Sequence, residues 1–119
     1  KLMQKFADLL GNRKDADYYT GLAENMKTAF QGKYYNNSIK SYSNHTITAN
    51  LLPIAFGIAP KEDVKKIMDN ITYTITHQFN GHIGTGVIGS QWLMRTLSDK
   101  GYGELATHIA SNRDYPSWG

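Results

Sequence analysis

The chain has 119 residues, a formal net charge of +3 and no cysteine. That length holds one domain or a piece of a larger one, and the missing thiols exclude disulfides and cysteine-ligated metals. Lys and Arg are scattered with no run beyond Lys65-Lys66, which argues against a nucleic-acid footprint, and no apolar run approaches the length of a membrane span.

Hydrophobic spacing predicts helices. Leu2, Phe6, Leu9 and Leu10 share one face, and Gly11 follows as a helix-ending glycine. A second helix is expected from about Asp15, with Ala16, Tyr19, Leu22, Met26 and Phe30 recurring every three or four residues until Gly32. Residues 33–44 are rich in Tyr, Asn and Ser and read as a long loop; long loops tend to be functional. A third helix is expected from Thr46 to Phe56, kinked at Pro53 and ended by Gly57. Val64, Ile67, Met68, Ile71 and Ile75 then mark a fourth helix, from Pro60 to about 78. Thr85 is the expected N-cap of a fifth, with Val87, Ile88, Trp92, Leu93 and Leu97 inward and Gly101 closing it. Leu105, Ala106, Ile109 and Ala110 mark a short sixth helix, and Ser111 to Gly119 returns to loop. No strand is expected. The fold class is therefore all-α, built of helical hairpins that suit a bundle, an α-solenoid or a closed toroid. In a toroid the long loops would share one rim.

Two readings compete at His82-Ile83-Gly84-Thr85-Gly86-Val87-Ile88-Gly89. Gly84-x-Gly86-x-x-Gly89 matches the dinucleotide-binding fingerprint, which needs a strand before it and an acidic residue on a second strand beyond. Here a helix precedes it, and Asp99 sits in the turn Ser98-Asp99-Lys100-Gly101. That context rejects the nucleotide reading.

The alternative rests on a resemblance. Asn44-His45-Thr46-Ile47-Thr48-Ala49-Asn50-Leu51-Leu52-Pro53-Ile54-Ala55-Phe56-Gly57-Ile58-Ala59-Pro60 resembles a helix of bacterial α-L-rhamnosidases, glycoside hydrolase family 78. Asn80-Gly81-His82-Ile83-Gly84-Thr85-Gly86-Val87-Ile88-Gly89 is similar to the family's His-x-x-Thr-Gly-x-x-Gly segment. Trp92 to Gly101, Glu104-Leu105-Ala106 and Tyr115-Pro116-Ser117-Trp118-Gly119 follow in the family's order. The resemblance covers essentially the whole chain. It implies part of an (α/α)6 barrel that hydrolyses terminal α-L-rhamnosides with inversion. Such a site needs a general acid at the leaving oxygen and a general base acting on water. In the family the acid lies upstream of the region covered here, and the base lies beyond the Pro-Ser-Trp-Gly motif. The resemblance thus implies that residues 1–119 are a fragment without either catalytic carboxylate, inactive alone. The first residue is Lys rather than Met, which also reads as a cut from something longer. The implied ligand is a rhamnose-containing glycan or glycoside, with no metal, cofactor, nucleic acid or membrane. A parent enzyme of this kind is often exported or periplasmic.

Four residues are the expected substrate contacts: His82, Thr85, Gly86 and Trp118. His82 sits in the loop feeding a helix start, where backbone N–H groups and Thr85 can bond a sugar hydroxyl; a loop-packing role is the alternative. Thr85 serves as cap, contact or both. Gly86 and Gly84 have a competing explanation as turn formers, since glycine permits positive φ. Trp118 offers an indole face to a pyranose or packs structurally, whereas Trp92 falls on an apolar stripe and reads as core. Among the acids Asp114, beside the rim loop, is the one kept for a site role. No His-x-x-x-His pair exists, so no metal site is expected. Uncovered inner faces predict self-association. The competing function class is a helical-repeat module that binds a peptide in a groove.

Overall fold

Apolar residues at helical spacing fold into six α-helices: α1 (Leu2–Leu9), α2 (Arg13–Tyr34), α3 (Ile47–Ala55), α4 (Val64–Tyr73), α5 (Val87–Asp99) and α6 (Gly103–Ser111). The computed structural model describes residues 1–117, so Trp118 and Gly119 lie outside the described residues. The described chain forms two units, residues 1–34 and Tyr35 onward.

The first unit is the hairpin of α1 and α2, with Ala7 and Ala16 buried. Helix α2 begins two residues before the expected Asp15 and runs through Gly32 to Tyr34. Of the apolar stripe of α1, Leu9 and Leu10 are each 83% exposed. A two-helix hairpin covers only one stripe of each partner, so periodicity finds the helix without guaranteeing its burial.

The core of the second unit is aliphatic. Ile47 and Leu51 of α3, Ile67 and Ile71 of α4, Leu93 and Leu97 of α5 and Ile109 of α6 are almost wholly removed from water. Helix α3 starts at Thr46, whose Oγ1 accepts from the Ala49 amide at 3.3 Å, and it passes through Pro53 before ending at Ala55. Helices α1, α3 and α5 all end in the same way. The amides of Asn12, Ile58 and Tyr102 donate to Ala7, Pro53 and Leu97 carbonyls at 2.9, 2.7 and 2.8 Å. The residues before them, Gly11, Gly57 and Gly101, take φ of +70°, +66° and +87°. This is the Schellman closure, which favours glycine because a Cβ is strained there.

Two expectations need correction. Residues 33–44 are not all loop: β1 (Tyr35–Asn36) and β2 (Ser41–Tyr42) pair antiparallel, Tyr35 opposite Tyr42. Helix α4 starts at Val64 rather than Pro60, and Asp63 gives its side chain to the hairpin, accepting from Tyr35 Oη at 2.7 Å and Lys40 Nζ at 3.0 Å. At its other end the fourth helix reaches the expected 78, its last turn, Thr74–Gln78, being π-helical. There Thr74 Oγ1 and Thr76 Oγ1 donate to the carbonyls of Asn70 and Thr72, each at 2.9 Å, and the Phe79 amide reaches back to the Thr74 carbonyl at 3.3 Å. Side-chain hydroxyls that occupy i−4 carbonyls compete with the backbone ladder and distort it.

Candidate functional site

Helices α3 and α5 run in the same sense. Near their starts, Gly89 lies so close to Thr48 that a Cβ there would collide with Thr48 Oγ1. Further along, Phe56 meets Trp92 edge to face at 5.0 Å. Both N-termini therefore open at one end of the second unit, together with the β-hairpin, the π-turn and loop 79–86.

Two contiguous hollows lie at that end and share His45 and Thr74. One, of about 190 Å³, is bounded by Ser41, Asn50, Asn70 and Tyr73. The other, of about 290 Å³, is bounded by Asn44, Thr46, Gln78, Phe79 and Gly84. The backbone around them is unusual. Among the described residues, positive φ outside glycine occurs at Lys40, Ser43, His45 and Asn80, and all four belong to segments bordering the hollows. Left-handed non-glycine residues persist only where the surroundings hold them.

A buried polar chain does the holding. The Tyr42 amide donates to Asn50 Oδ1 at 2.7 Å, which orients the Asn50 amide. Ser41 Oγ donates to the same oxygen at 3.0 Å, spending its only hydrogen. The 2.9 Å contact between His45 Nδ1 and Ser41 Oγ then requires Nδ1–H as donor. In neutral His45 this leaves Nε2 as an acceptor, an assignment made by the network. A second polar hub pins the hairpin from the other side. Hydrogen bonds from Tyr35 and then Lys40 hold the Asp63 carboxyl below the usual carboxylate range. Burial, reinforced by Asp63, pushes the Tyr35 phenol up, and burial then the Asp63 charge push Tyr42 up to about 12. Asn70 Nδ2 adds bonds to the Ile39 and Lys40 carbonyls at 3.2 and 3.1 Å.

The four expected contact residues fare differently. His82 ties two loops: its Nδ1 lies 3.0 Å from the Pro116 carbonyl and 3.1 Å from Asn112 Nδ2. That nitrogen carries one hydrogen or one lone pair, so it bonds one of the two at a time. Thr85 is not the N-cap of α5; Gly86 is, with no side-chain cap. The Thr85 hydroxyl is engaged with Ser90 Oγ at 2.9 Å instead. Gly86 has ordinary φ of −75°, and a Cβ on it would meet none of the described residues within 4 Å. Gly84 likewise has no positive φ; its lack of a side chain admits the Phe79 ring, 2.7 Å from where a Cβ would stand. The turn-former explanation thus fails at both. Trp118 lies outside the described residues. Trp92 is half-buried between Phe56 and Arg95, whose guanidinium stands 5.6 Å from the ring. Val87 and Ile88, expected inward, are 91% and 65% exposed. Asp114 is exposed, its amide donating to Asn112 Oδ1 at 3.0 Å.

Sequence reasoning passed over His45, Asn44, Thr74 and Gln78. The available signal was the dense polar run 41–46 directly ahead of a capped helix. Among the described residues no three His, Cys, Asp or Glu side chains approach closely enough to share a metal ion, and no helix is long and apolar enough to cross a membrane.

All 119 residues match the model of the bacterial alpha-L-rhamnosidase 6 hairpin glycosidase domain. The chain belongs to that family. An alpha-L-rhamnosidase of Formosa agariphila is 28% identical over 118 residues, covering 99% of this chain and 13% of its own length. The solved alpha-L-rhamnosidase of Dictyoglumus thermophilum superposes with a TM-score of 0.90 at 30% identity, over 96% of this chain and 13% of that one. That of Streptomyces avermitilis, in complex with L-rhamnose, gives 0.89 at 28%, over 98% and 11%. This rhamnosidase-family chain thus spans about an eighth of the relatives it matches. The all-α hairpin class expected from sequence agrees with the family, and the helical-repeat interaction module is not favoured.

Proposed function

We propose that this chain is a section of a longer inverting α-L-rhamnosidase whose catalytic acid and base lie outside residues 1–119, and that it supplies part of the wall against which the rhamnoside rests. The observation that carries this reading is likeness over almost the full chain to a rhamnosidase solved in complex with L-rhamnose, at a TM-score of 0.89.

Within that reading, Gly86 begins α5 with no side-chain cap among the described residues, and the first-turn N–H groups and positive dipole end there suit a sugar hydroxyl. His82 orients the rim by tying loop 79–86 to the segment at Pro116, and Thr85 acts through Ser90. Trp118 adds an aromatic face. The exposed Val87 and Ile88 are covered by other hairpins of the parent barrel, and the isolated chain self-associates through them.

The test compares two proteins on an aryl α-L-rhamnoside. The parent protein should hydrolyse it, with the anomeric product inverted by NMR, and the 119-residue chain should not. Hydrolysis by the isolated chain, or a parent inert towards α-L-rhamnosides, overturns the reading.

A further inference from the structure

We infer that the paired hollows around His45 form a binding subsite for an uncharged pyranoside unit, separate from the Gly86 helix start and carried wholly by this chain. The argument begins with what the lining lacks. Among the described residues around both hollows there is no Asp, Glu, Lys or Arg, although 19% of the chain is charged. A surface with that composition around it and none of its charges suits a neutral ligand.

What lines it suits a sugar's hydroxyls. Gln78 and Asn44 bring amide donors and acceptors, and His45 in its neutral form brings Nε2 as an acceptor. The hydroxyl hydrogens of Thr46 and Thr74 already go to Asn44 Oδ1 and the Asn70 carbonyl, so these two offer an oxygen lone pair only. Tyr73 and Phe79 supply ring surface for the C–H face of a pyranose. The larger hollow, about 290 Å³, is near the lower bound of small-molecule sites.

Independent features converge on the same place. The π-turn brings both of its end residues, Thr74 and Gln78, to the lining, and such turns occur frequently at functional sites. The left-handed His45 is held by a dedicated relay from the Tyr42 amide through Asn50 and Ser41. That relay fixes which imidazole nitrogen remains to accept.

The choice of a sugar over other neutral polyols rests on the glycosidase reading above. The test is therefore made on binding by the full 119-residue chain, which does not depend on hydrolysis. Methyl α-L-rhamnopyranoside and methyl β-D-glucopyranoside are titrated separately into 15N-labelled protein. Expected are amide shifts at Thr46, Thr74 and Gln78 with at least one of them. A rhamnoside response assigns the subsite to a rhamnosyl unit, and a glucoside response alone assigns it to the neighbouring sugar. Gln78 is exposed, so Gln78→Ala should fold and bind about three- to tenfold more weakly, the value of one hydrogen bond. A long-range 1H–15N correlation should find the proton of neutral His45 on Nδ1, and Ser41→Ala should release that preference. Absence of shifts with both sugars, or undiminished binding by Gln78→Ala, overturns the inference. Shifts confined to residues 82–88 overturn it too while leaving the rhamnosidase reading intact.

Discussion

Replacing Gly89 with alanine tests the contact that sets the two helix starts side by side. The new Cβ would collide with Thr48 Oγ1 and stand 2.8 Å from Thr85 Cβ and 3.2 Å from its Cγ2. Neither neighbour yields easily. Both are β-branched with few rotamers, Thr85 is bonded to Ser90 at 2.9 Å, and Thr48 lies in the first turn of α3 beside the buried Ile47. Overpacking costs about 1–3 kcal/mol, and two stiff neighbours put this case at the upper end. Alanine regains about 1 kcal/mol of helix propensity, leaving a net loss of about 1–2 kcal/mol and a Tm lower by about 4–8 °C. Urea melts followed by tryptophan fluorescence and far-UV circular dichroism would read it. Gly21→Ala is the control: its site lies inside α2 with nothing within 4 Å of a new Cβ, so a gain of about 1 kcal/mol is expected. Adding Thr48→Ala to Gly89→Ala should recover part of the loss. A Gly89→Ala protein as stable as the wild type refutes the close approach of α5 to α3.

Four other outcomes follow from the polar hubs and the exposed face. Asn50→Ala should cost about 2–3 kcal/mol in denaturant melts, because it removes the buried oxygen that accepts from both the Tyr42 amide and Ser41 Oγ. Asp63 has its folded pKa lowered, so its stabilisation is present above the ordinary carboxylate value and lost as pH falls from there through the lowered folded value; Asp63→Asn should flatten that acid limb. Tyr42 behaves oppositely: raised to about 12, it contributes fully below the ordinary value of 10.0 and loses that contribution as pH rises beyond it. Absorbance at 295 nm should show Tyr35 and Tyr42 ionising last, and all tyrosines titrating together in folded protein would contradict this. Light scattering should show concentration-dependent association that weakens when Val87 and Ile88, 91% and 65% exposed, are both changed to serine; a monomer at all concentrations contradicts the uncovered face.

The helices and three of their ends were legible because their causes are local, whereas Gly32 did not stop α2 and Pro60 did not open α4. Gly11, Gly57 and Gly101 each stand just past an apolar periodic run, and each adopts the left-handed closure that this position predicts. The hairpin at 35–42 was not legible, since its supports are remote. Asp63 and Asn70 lie 28 and about 30 residues from the groups they bind, and two-residue strands have no periodicity to detect. The cap of α5 was misassigned for a related reason. Threonine before a helix is a good cap in isolation, but here the Ser90 hydroxyl, a turn later, competes for its oxygen. Val87 and Ile88 show the limit of periodicity, which marks an apolar residue without saying whether this stretch of chain covers it.

The glycines of Gly84-x-Gly86-x-x-Gly89 separate packing from recognition. Gly84 and Gly89 are explained by neighbours, the Phe79 ring and Thr48, that leave no room for a Cβ. Gly86 has neither a crowded Cβ site nor positive φ, so nothing among the described residues requires glycine there. What its missing side chain leaves open is the outside of an uncapped helix start, where a ligand can approach the backbone. Gly86→Ala loses the modest advantage of glycine at an N-cap and gains about 0.4–1 kcal/mol from a less flexible unfolded chain, so stability should stay within about 0.5 kcal/mol of wild type. In the parent enzyme the same change should raise KM for an aryl α-L-rhamnoside, because the added methyl stands between the sugar and the α5 amides. Gly89→Ala differs in its first effect, lowering stability because its methyl meets Thr48 and Thr85 inside the protein rather than the outside of the helix start. If Gly86→Ala leaves KM unchanged, the α5 start is not a sugar contact, whatever the family resemblance.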